Sequence, residues 1–412
     1  MLLQDLLDEI LVTFSGINKC IIQLVDKSNT LQIDGFSNDN GENLFLADRL
    51  PIDFDNKDSH EIFICSIMNK FEEELRQWIK NNIKRMVPAF FKASYDFVGV
   101  WKFITSKVSI FQVICLMSNL AFFHDLSCIL SMQNKNQLSL QQQLEFFVSN
   151  IEANLKVFIE ALRSRMNQTY PKNALALQYQ YVLLIQYHCD IVRKMIECRV
   201  SGIEEFEYLA LPKFSFEFPA SSLGSTEMFD ATLRNYKKIT EEAKENPTTV
   251  YTEIGSQSEI FKTIEGMQAL KNFDIGLRCM NYRIGYGYEV LPATSDFVFT
   301  PFSQRCMVTL ANAIATNVGG IIRGPNNIGK RSTVKALSHL VGKELFTFDC
   351  YGNNYEFVSQ IFNGMTQGDF WVMFENVHIM QYGLLSTFCN TVTLLLVIQA
   401  SNSIKFFFHN SL

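Results

Sequence analysis

The run Val318-Gly319-Gly320-Ile321-Ile322-Arg323-Gly324-Pro325-Asn326-Asn327-Ile328-Gly329-Lys330-Arg331-Ser332-Thr333 carries residue types at a spacing suited to phosphate chemistry. An apolar stretch enters the loop and a helical pattern through Val334, Leu337, Leu340 and Val341 leaves it, which is the strand–loop–helix context of a phosphate-binding loop. Gly324 and Gly329 leave the backbone bare, so amide N–H groups can curl around phosphate oxygens while the helix start adds its positive dipole end. Lys330 would reach the outer phosphates. Gly324, Pro325, Asn326, Asn327, Ile328, Gly329, Lys330, Arg331 and Ser332 are therefore the candidate binding segment, for ATP or ADP with Mg²⁺. The residue after the lysine should be Ser or Thr, whose hydroxyl ligates Mg²⁺, but Arg331 stands there, and Ser332 and Thr333 fall on other faces of the helix. One reading is a nucleotide loop with weakened magnesium coordination. The other is a plain glycine-containing turn between strand and helix.

A phosphate loop of this kind needs a second element, a buried strand ending in an Asp that holds Mg²⁺ and a Glu that polarises water. Phe370-Trp371-Val372-Met373-Phe374-Glu375-Asn376 has that shape, and its apolar run suits a strand covered on both faces of a parallel sheet. Glu375 takes the Asp position, one methylene longer, as a possible Mg²⁺ contact. Asn376 takes the Glu position, and an amide cannot accept a proton, so the two catalytic positions are expected to be inactive. The competing reading is that both residues simply end a core strand.

The elements around this segment are those of a folded protein. The 412 residues suffice for roughly two or three domains. Hydrophobic residues make up 48% and charged residues 19%, with 36 Phe against 3 Trp, a composition suited to a mostly helical or α/β chain. A formal net charge of −6 without a Lys/Arg run argues against a nucleic-acid partner. Ten cysteines are scattered without metal spacing and read as reduced thiols of a cytoplasmic protein. Asp5, Asp8 and Glu9 interrupt the N-terminus where an export signal would be apolar. Val108–Leu130 is the most membrane-like stretch, but Gln112, Asn119, His124 and Asp125 break it, so it is read as a buried helix and no membrane role is expected.

Along the chain, the first 60 residues read as a small α+β start with β-leaning runs at Cys20–Val25 and Leu31–Phe36. Ile62, Ile64, Ile67, Met68, Phe71, Leu75, Trp78 and Ile79 give a helix between Glu61 and Lys84. Two long helices follow, one through Leu144, Phe147, Ile151, Leu155, Phe158 and Leu162, the other through Leu177, Tyr181, Leu184, His188, Ile191 and Met195. The short polar link Arg163–Asn173 would fold them into an antiparallel hairpin. His188 reads as a core residue, since no partner ligands sit at metal spacing. Pro219–Gln257 is polar and reads as an insertion or mobile segment. Alternating β/α texture begins near Thr300.

Further runs carry a resemblance. Asn281-Tyr282-Arg283-Ile284-Gly285-Tyr286-Gly287-Tyr288-Glu289 and Phe297-Val298-Phe299-Thr300-Pro301-Phe302-Ser303-Gln304-Arg305-Cys306 resemble the junction in dynein heavy chains where the linker meets the first AAA+ module. Phe348-Asp349-Cys350, Phe362-Asn363-Gly364 and Phe370–Val377 resemble later elements of that module, and Ile404–Phe408 resembles the start of its β insertion. Upstream, Asn18–Pro51, Ile110–Phe123 and Ala174–Phe214 look like the family's linker. The resemblance implies a mixed fold, a mainly α-helical linker followed by a truncated α/β P-loop (AAA+) domain with a parallel sheet. The parts are a linker-like region over residues 1–218, the polar segment 219–257, the linker end and junction 258–299, and the AAA+ module 300–412.

The same resemblance implies the ATP-dependent microtubule motor of cilia, working with microtubules and with intermediate and light chains on the axonemal cytoskeleton, in an axonemal-type member. Within the family pattern Gly324, Gly329 and Lys330 match, while Arg331, Glu375 and Asn376 depart. The chain is further expected to stop at Leu412 before a sensor strand, an arginine-bearing lid or a microtubule-binding stalk, as a fragment or short isoform would. That ending is expected to leave an apolar sheet edge near Phe406-Phe407-Phe408. The alternative function is a non-catalytic binding or regulatory module with a remnant nucleotide pocket.

Overall fold

The β-leaning runs near the N-terminus pair as antiparallel strands, β1 (Lys19–Val25) with β2 (Thr30–Ser37), and β3 (Asn43–Ile52) adds to the far side of β2. Ile33 and Phe36 on β2 are buried. The computed structural model describes residues 6–8, 10–11, 14, 16–25, 30–38, 43–52, 60–90, 110–131, 139–165, 172–218, 273–291, 300–316, 318–325, 327–351, 359, 361–362, 371–398 and 405–411. The polar segment 219–257 lies outside them. Two units divide the chain, one of Met1–Tyr208, Lys213–Gly276 and Val290–Ala293, the other of Leu209–Pro212, Leu277–Glu289 and Thr294–Leu412.

In the first unit, α1 (His60–Phe90) runs past the predicted Lys84 because its apolar spacing continues, with Phe71, Leu75, Ile79, Ile83 and Val87 all buried. The membrane-like stretch becomes α2 (Phe111–Ser131), the one helix among the described residues long and apolar enough to cross a bilayer. Its side chains are largely buried within the protein, as a core helix requires. The predicted helix pair appears as α3 (Leu140–Arg165) and α4 (Lys172–Glu197), with Leu144, Ile151 and Leu155 of one and Tyr181, Ile185 and Val192 of the other buried. Arg193 on α4 reaches Glu152 on α3 at 2.7 Å, an exposed pair that adds little stability. His188 sits in the core as expected. Its Nε2 faces Asn119 Oδ1 at 2.9 Å, and its ring stacks on Phe122 at 4.0 Å.

Short strands β4 (Lys213–Glu217), β5 (Asp274–Cys279) and β6 (Tyr282–Gly285) precede the α/β part. There α5 (Pro301–Ala315) starts where the texture changes. Thr300 caps it by accepting from Ser303 N at 3.1 Å, while Ser303 Oγ accepts from Thr300 N at 2.9 Å, and Pro301 fits the first turn. After it come β7 (Gly320–Gly324), α6 (Lys330–Val341), β8 (Leu345–Asp349), β9 (Trp371–Glu375), α7 (Tyr382–Ile398) and β10 (Lys405–Ser411). The four strands form a parallel sheet in the order β7-β10-β9-β8.

This order corrects two expectations. The reading of Ile404–Phe408 as the start of a β insertion does not hold, because residues from Lys405 onward form an inner strand. Phe407 pairs with Gly320 on one side and Met373 on the other. For the same reason Phe406-Phe407-Phe408 is not a sheet edge. The strand β10 also separates the loop-bearing β7 from the acidic β9.

The junction residues hold the far end of α6. Gly342 closes that helix with φ 67°, and a Cβ there would come within 2.4 Å of the Tyr286 ring. Gly287 N donates to Val341 O (2.8 Å), Glu289 N to Gly342 O (3.1 Å), and Lys343 Nζ meets Glu289 Oε1 at 2.9 Å. Gly342→Ala is expected to cost about 1–3 kcal/mol, read as a lower urea midpoint of the second unit, because the left-handed backbone and the ring contact both oppose a side chain.

Burial holds the His188 imidazole neutral, pushed down to about 3 from its ordinary 6.5. The unfolded chain then binds the extra proton between those values, so this group's contribution is complete above about pH 6.5 and is lost as pH falls toward 3. The slope should approach about 1.4 kcal/mol per pH unit. Urea unfolding at a series of pH values should show a shallower acid slope for His188→Phe than for the wild type. Equal slopes would refute the assignment.

Candidate functional site

The loop after β7 is built from backbone conformations that glycine and asparagine tolerate. Gly324 has φ 154° and Gly329 φ 86°, and Asn327 adopts a left-handed φ of 61°. A Cβ on Gly324 would meet Ile328 Cδ1 at 2.7 Å, so this position needs a bare backbone. Gly329 caps α6 without a side-chain hydrogen bond, and Thr333 N makes the first helical bond, to Gly329 O at 2.9 Å. The amides of Lys330, Arg331 and Ser332 therefore precede the helical ladder, at the positive end of the helix. Pro325, Asn327 and Ile328 are exposed on the rim, and Asn326 lies outside the described residues.

Lys330 is buried and turned back onto the loop, its Nζ donating to Gly324 O and to Pro325 O at 2.8 Å. Its ammonium thus sits at the mouth of the amide turn, held by carbonyls that a phosphate oxygen could replace. Thr333 Oγ1 donates to Gly329 O at 2.9 Å, and Ser332 is exposed. Neither hydroxyl stands in for the one that Arg331 displaces.

All five residues of β9 are buried. At its end the Glu375 carboxylate accepts a two-pronged contact from Arg331, Nε to Oε1 and Nη2 to Oε2. The Arg331 side chain is 57% exposed and that of Glu375 only 4%. The strand that ends at Glu375 is not the immediate neighbour of the loop strand: β10 lies between them, with His409 registered opposite both Ile322 and Glu375. The longer Arg331–Glu375 side-chain pair spans that gap and brings the two motifs together. Asn376, with a left-handed φ of 57°, donates through Nδ2 to Asp349 Oδ1 at 3.0 Å. Asp349, which the residue pattern did not single out, ends β8 in register with Glu375 and also accepts from Tyr351 N at 3.1 Å. Its signal was the strand ending Phe348-Asp349, beside an acidic strand end.

Hydrogen bonding to Glu375, and then the charges of Glu375 and Asp349, raise the already high Arg331 pKa against the opposing effect of burial, so the guanidinium is permanently charged. The Cys350 thiol is pushed up to about 12 by burial first and by the nearby Asp349 and Glu375 carboxylates second. A divalent cation does not fit this donor set. Its usual hydroxyl ligand is an arginine, and both Glu375 oxygens already hold that arginine. No group of three or more His, Cys, Asp or Glu among the described residues is arranged for a metal ion. The role of Glu375 as a Mg²⁺ contact is therefore not supported by the geometry.

A glycine-containing turn at the carboxyl end of a strand in an open parallel sheet, opening a helix, is where α/β modules bind ligands. The family described as the hydrolytic ATP-binding site of the dynein motor region matches residues 286–412. Axonemal heavy chain 2 of Mus musculus is 29% identical over 136 residues, 33% of this chain and 3% of the relative. Axonemal heavy chain 3 of Homo sapiens is 32% identical over 114 residues, 27% of this chain and 3% of the relative. Human axonemal heavy chain 8 is 30% identical over 124 residues, 30% and 3% respectively. The chain is related to axonemal dynein heavy chains over about a third of its length, and the matched stretch spans only about 3% of theirs.

Truncating one partner of the Arg331–Glu375 pair strands the other. Arg331→Ala should destabilise the second unit by about 1–3 kcal/mol, less than a fully buried pair because the guanidinium is half in water. The double variant Arg331→Met/Glu375→Leu should recover most of the loss. Denaturation of the single and double variants tests this, and additive losses would show that the two residues do not interact.

Proposed function

We propose that the second unit is a P-loop AAA+ module of the dynein kind that binds ATP or ADP at Gly324–Ser332 without hydrolysing it. The observation that carries this reading is the left-handed turn through Asn327 and Gly329, which opens the start of α6 with the Lys330 ammonium at its mouth. The parallel order β7-β10-β9-β8 supports it by setting the loop and the acidic strand end on one edge of the sheet. Hydrolysis needs a group that accepts a proton from water. Asn376 has none to offer, and its amide is engaged with Asp349.

In this reading the chain is a fragment or short isoform of a dynein heavy chain. Residues 1–218 and 258–299 correspond to the linker, with residues 219–257 as an insertion. The setting would be the ciliary axoneme, with microtubules and the intermediate and light chains as partners. A second reading, a non-catalytic binding or regulatory module, is favoured by the Arg331–Glu375 pair, which satisfies the acidic strand end without any ligand.

Calorimetry with ATP and with ADP on the full chain, run with and without Mg²⁺, should detect binding in at least one condition. Lys330→Ala should weaken it by about tenfold or more, the loss of one charge-assisted contact. Phosphate release should stay at background for the wild type and for Asn376→Glu. Turnover that Lys330→Ala abolishes would overturn the non-hydrolytic reading, and absence of nucleotide binding in every condition would overturn the pocket itself.

A further inference from the structure

The residue after the loop lysine is the one whose replacement changes the chemistry most. A hydroxyl there would offer a lone pair to a cation. Arg331 offers a cation instead, and the structure shows where that cation goes: its Nε and Nη2 edge is docked on Glu375. The remaining Nη1 makes no bond among the described residues, and the side chain is 57% exposed. The guanidinium is thus anchored on one edge and open on the other, beside the first turn of α6.

We infer that nucleotide enters this loop as the free polyphosphate anion, with the Arg331 guanidinium, held by Glu375, standing where a divalent cation would otherwise sit. The inference rests on the nucleotide-binding reading above and adds its metal requirement. Three features carry it. The planar guanidinium fork matches phosphate oxygens as well as carboxylate oxygens, so one arginine can bridge Glu375 and a bound phosphate. Both Glu375 oxygens already accept from Arg331 in a buried carboxylate, so a metal would gain that ligand only by sharing it with a fixed positive charge. Asp349, the other acid at this edge, already accepts from Asn376 and from the Tyr351 amide. A cation carried in on the nucleotide would meet the fixed charges of Arg331 and Lys330 without a protein ligand, and like charges repel.

The test is ATP affinity of the full chain by calorimetry in excess EDTA and in excess Mg²⁺. Binding in EDTA equal to or tighter than in Mg²⁺ is expected. Binding tighter in Mg²⁺ by about tenfold or more, a difference of about 1.4 kcal/mol, would overturn the inference while leaving nucleotide binding intact. Binding in neither condition would overturn both. Arg331→Ser restores a hydroxyl and frees Glu375, and its affinity in EDTA should fall by about tenfold or more while Mg²⁺ now improves binding. Arg331→Lys keeps a charge and should fall between the two, which separates loss of the cation from loss of folding. Arg331→Ser that remains folded and binds in EDTA as the wild type does would also overturn the inference.

Discussion

A carboxylate driven into the end of a fully buried strand must find a counter-charge, and much of the second unit is arranged by that need. Glu375 sits where Trp371, Val372, Met373 and Phe374 have already excluded water, and its own side chain is nearly inaccessible. Without a partner it would carry a desolvation cost of several kcal/mol. Arg331 meets it from the first turn of α6, a helix whose start is set by the glycine loop and whose end is locked at Gly342 by Tyr286 and Glu289. One ion pair therefore ties the loop strand's helix to a strand that is not the loop strand's neighbour.

That tie works because the sheet is ordered β7-β10-β9-β8. Parallel strands need crossover connections, and α6 and α7 are two of them, so all four strands present their carboxyl ends at the same edge. Gly324, Asp349, Glu375 and the end of β10 collect there although they are far apart in the chain. Phe362, Phe374 and Phe388 pack together under this edge, with ring centroids 4.9–5.9 Å apart, and give β9 a rigid backing. Side chains supported in this way hold a charge pair more firmly than a mobile loop would.

Much of this was legible from residue pattern alone. The helix through Val334 and Leu337, the apolar strand before Glu375 and the change of texture at Thr300 all appear where spacing and composition put them. The helices α3 and α4 followed from their heptad-like apolar positions. The sequence did not reveal which strands are neighbours. Ile404–Phe408 reads as the start of an insertion, and nothing local distinguishes that from an inner strand, because pairing partners lie far away in the chain. Side-chain reach was hidden for the same reason. Arg331 was visible as a missing hydroxyl and Glu375 as an overlong aspartate, yet their pairing depends on a distance across β10 that no spacing encodes.

Seen together, the three departures at this edge are chemically consistent with one another. An arginine after the loop lysine brings a positive charge that an aspartate on β9 would be one methylene less able to reach, and glutamate supplies the reach. Asn376, which follows Glu375, spends its amide on Asp349. Asp349 in turn adds to the negative field that favours the charged guanidinium. A pocket that had merely lost its function would be expected to leave stranded polar groups at its edge. Here Arg331, Glu375, Asn376 and Asp349 each have partners, and the Arg331 side chain stays 57% exposed while holding the buried carboxylate.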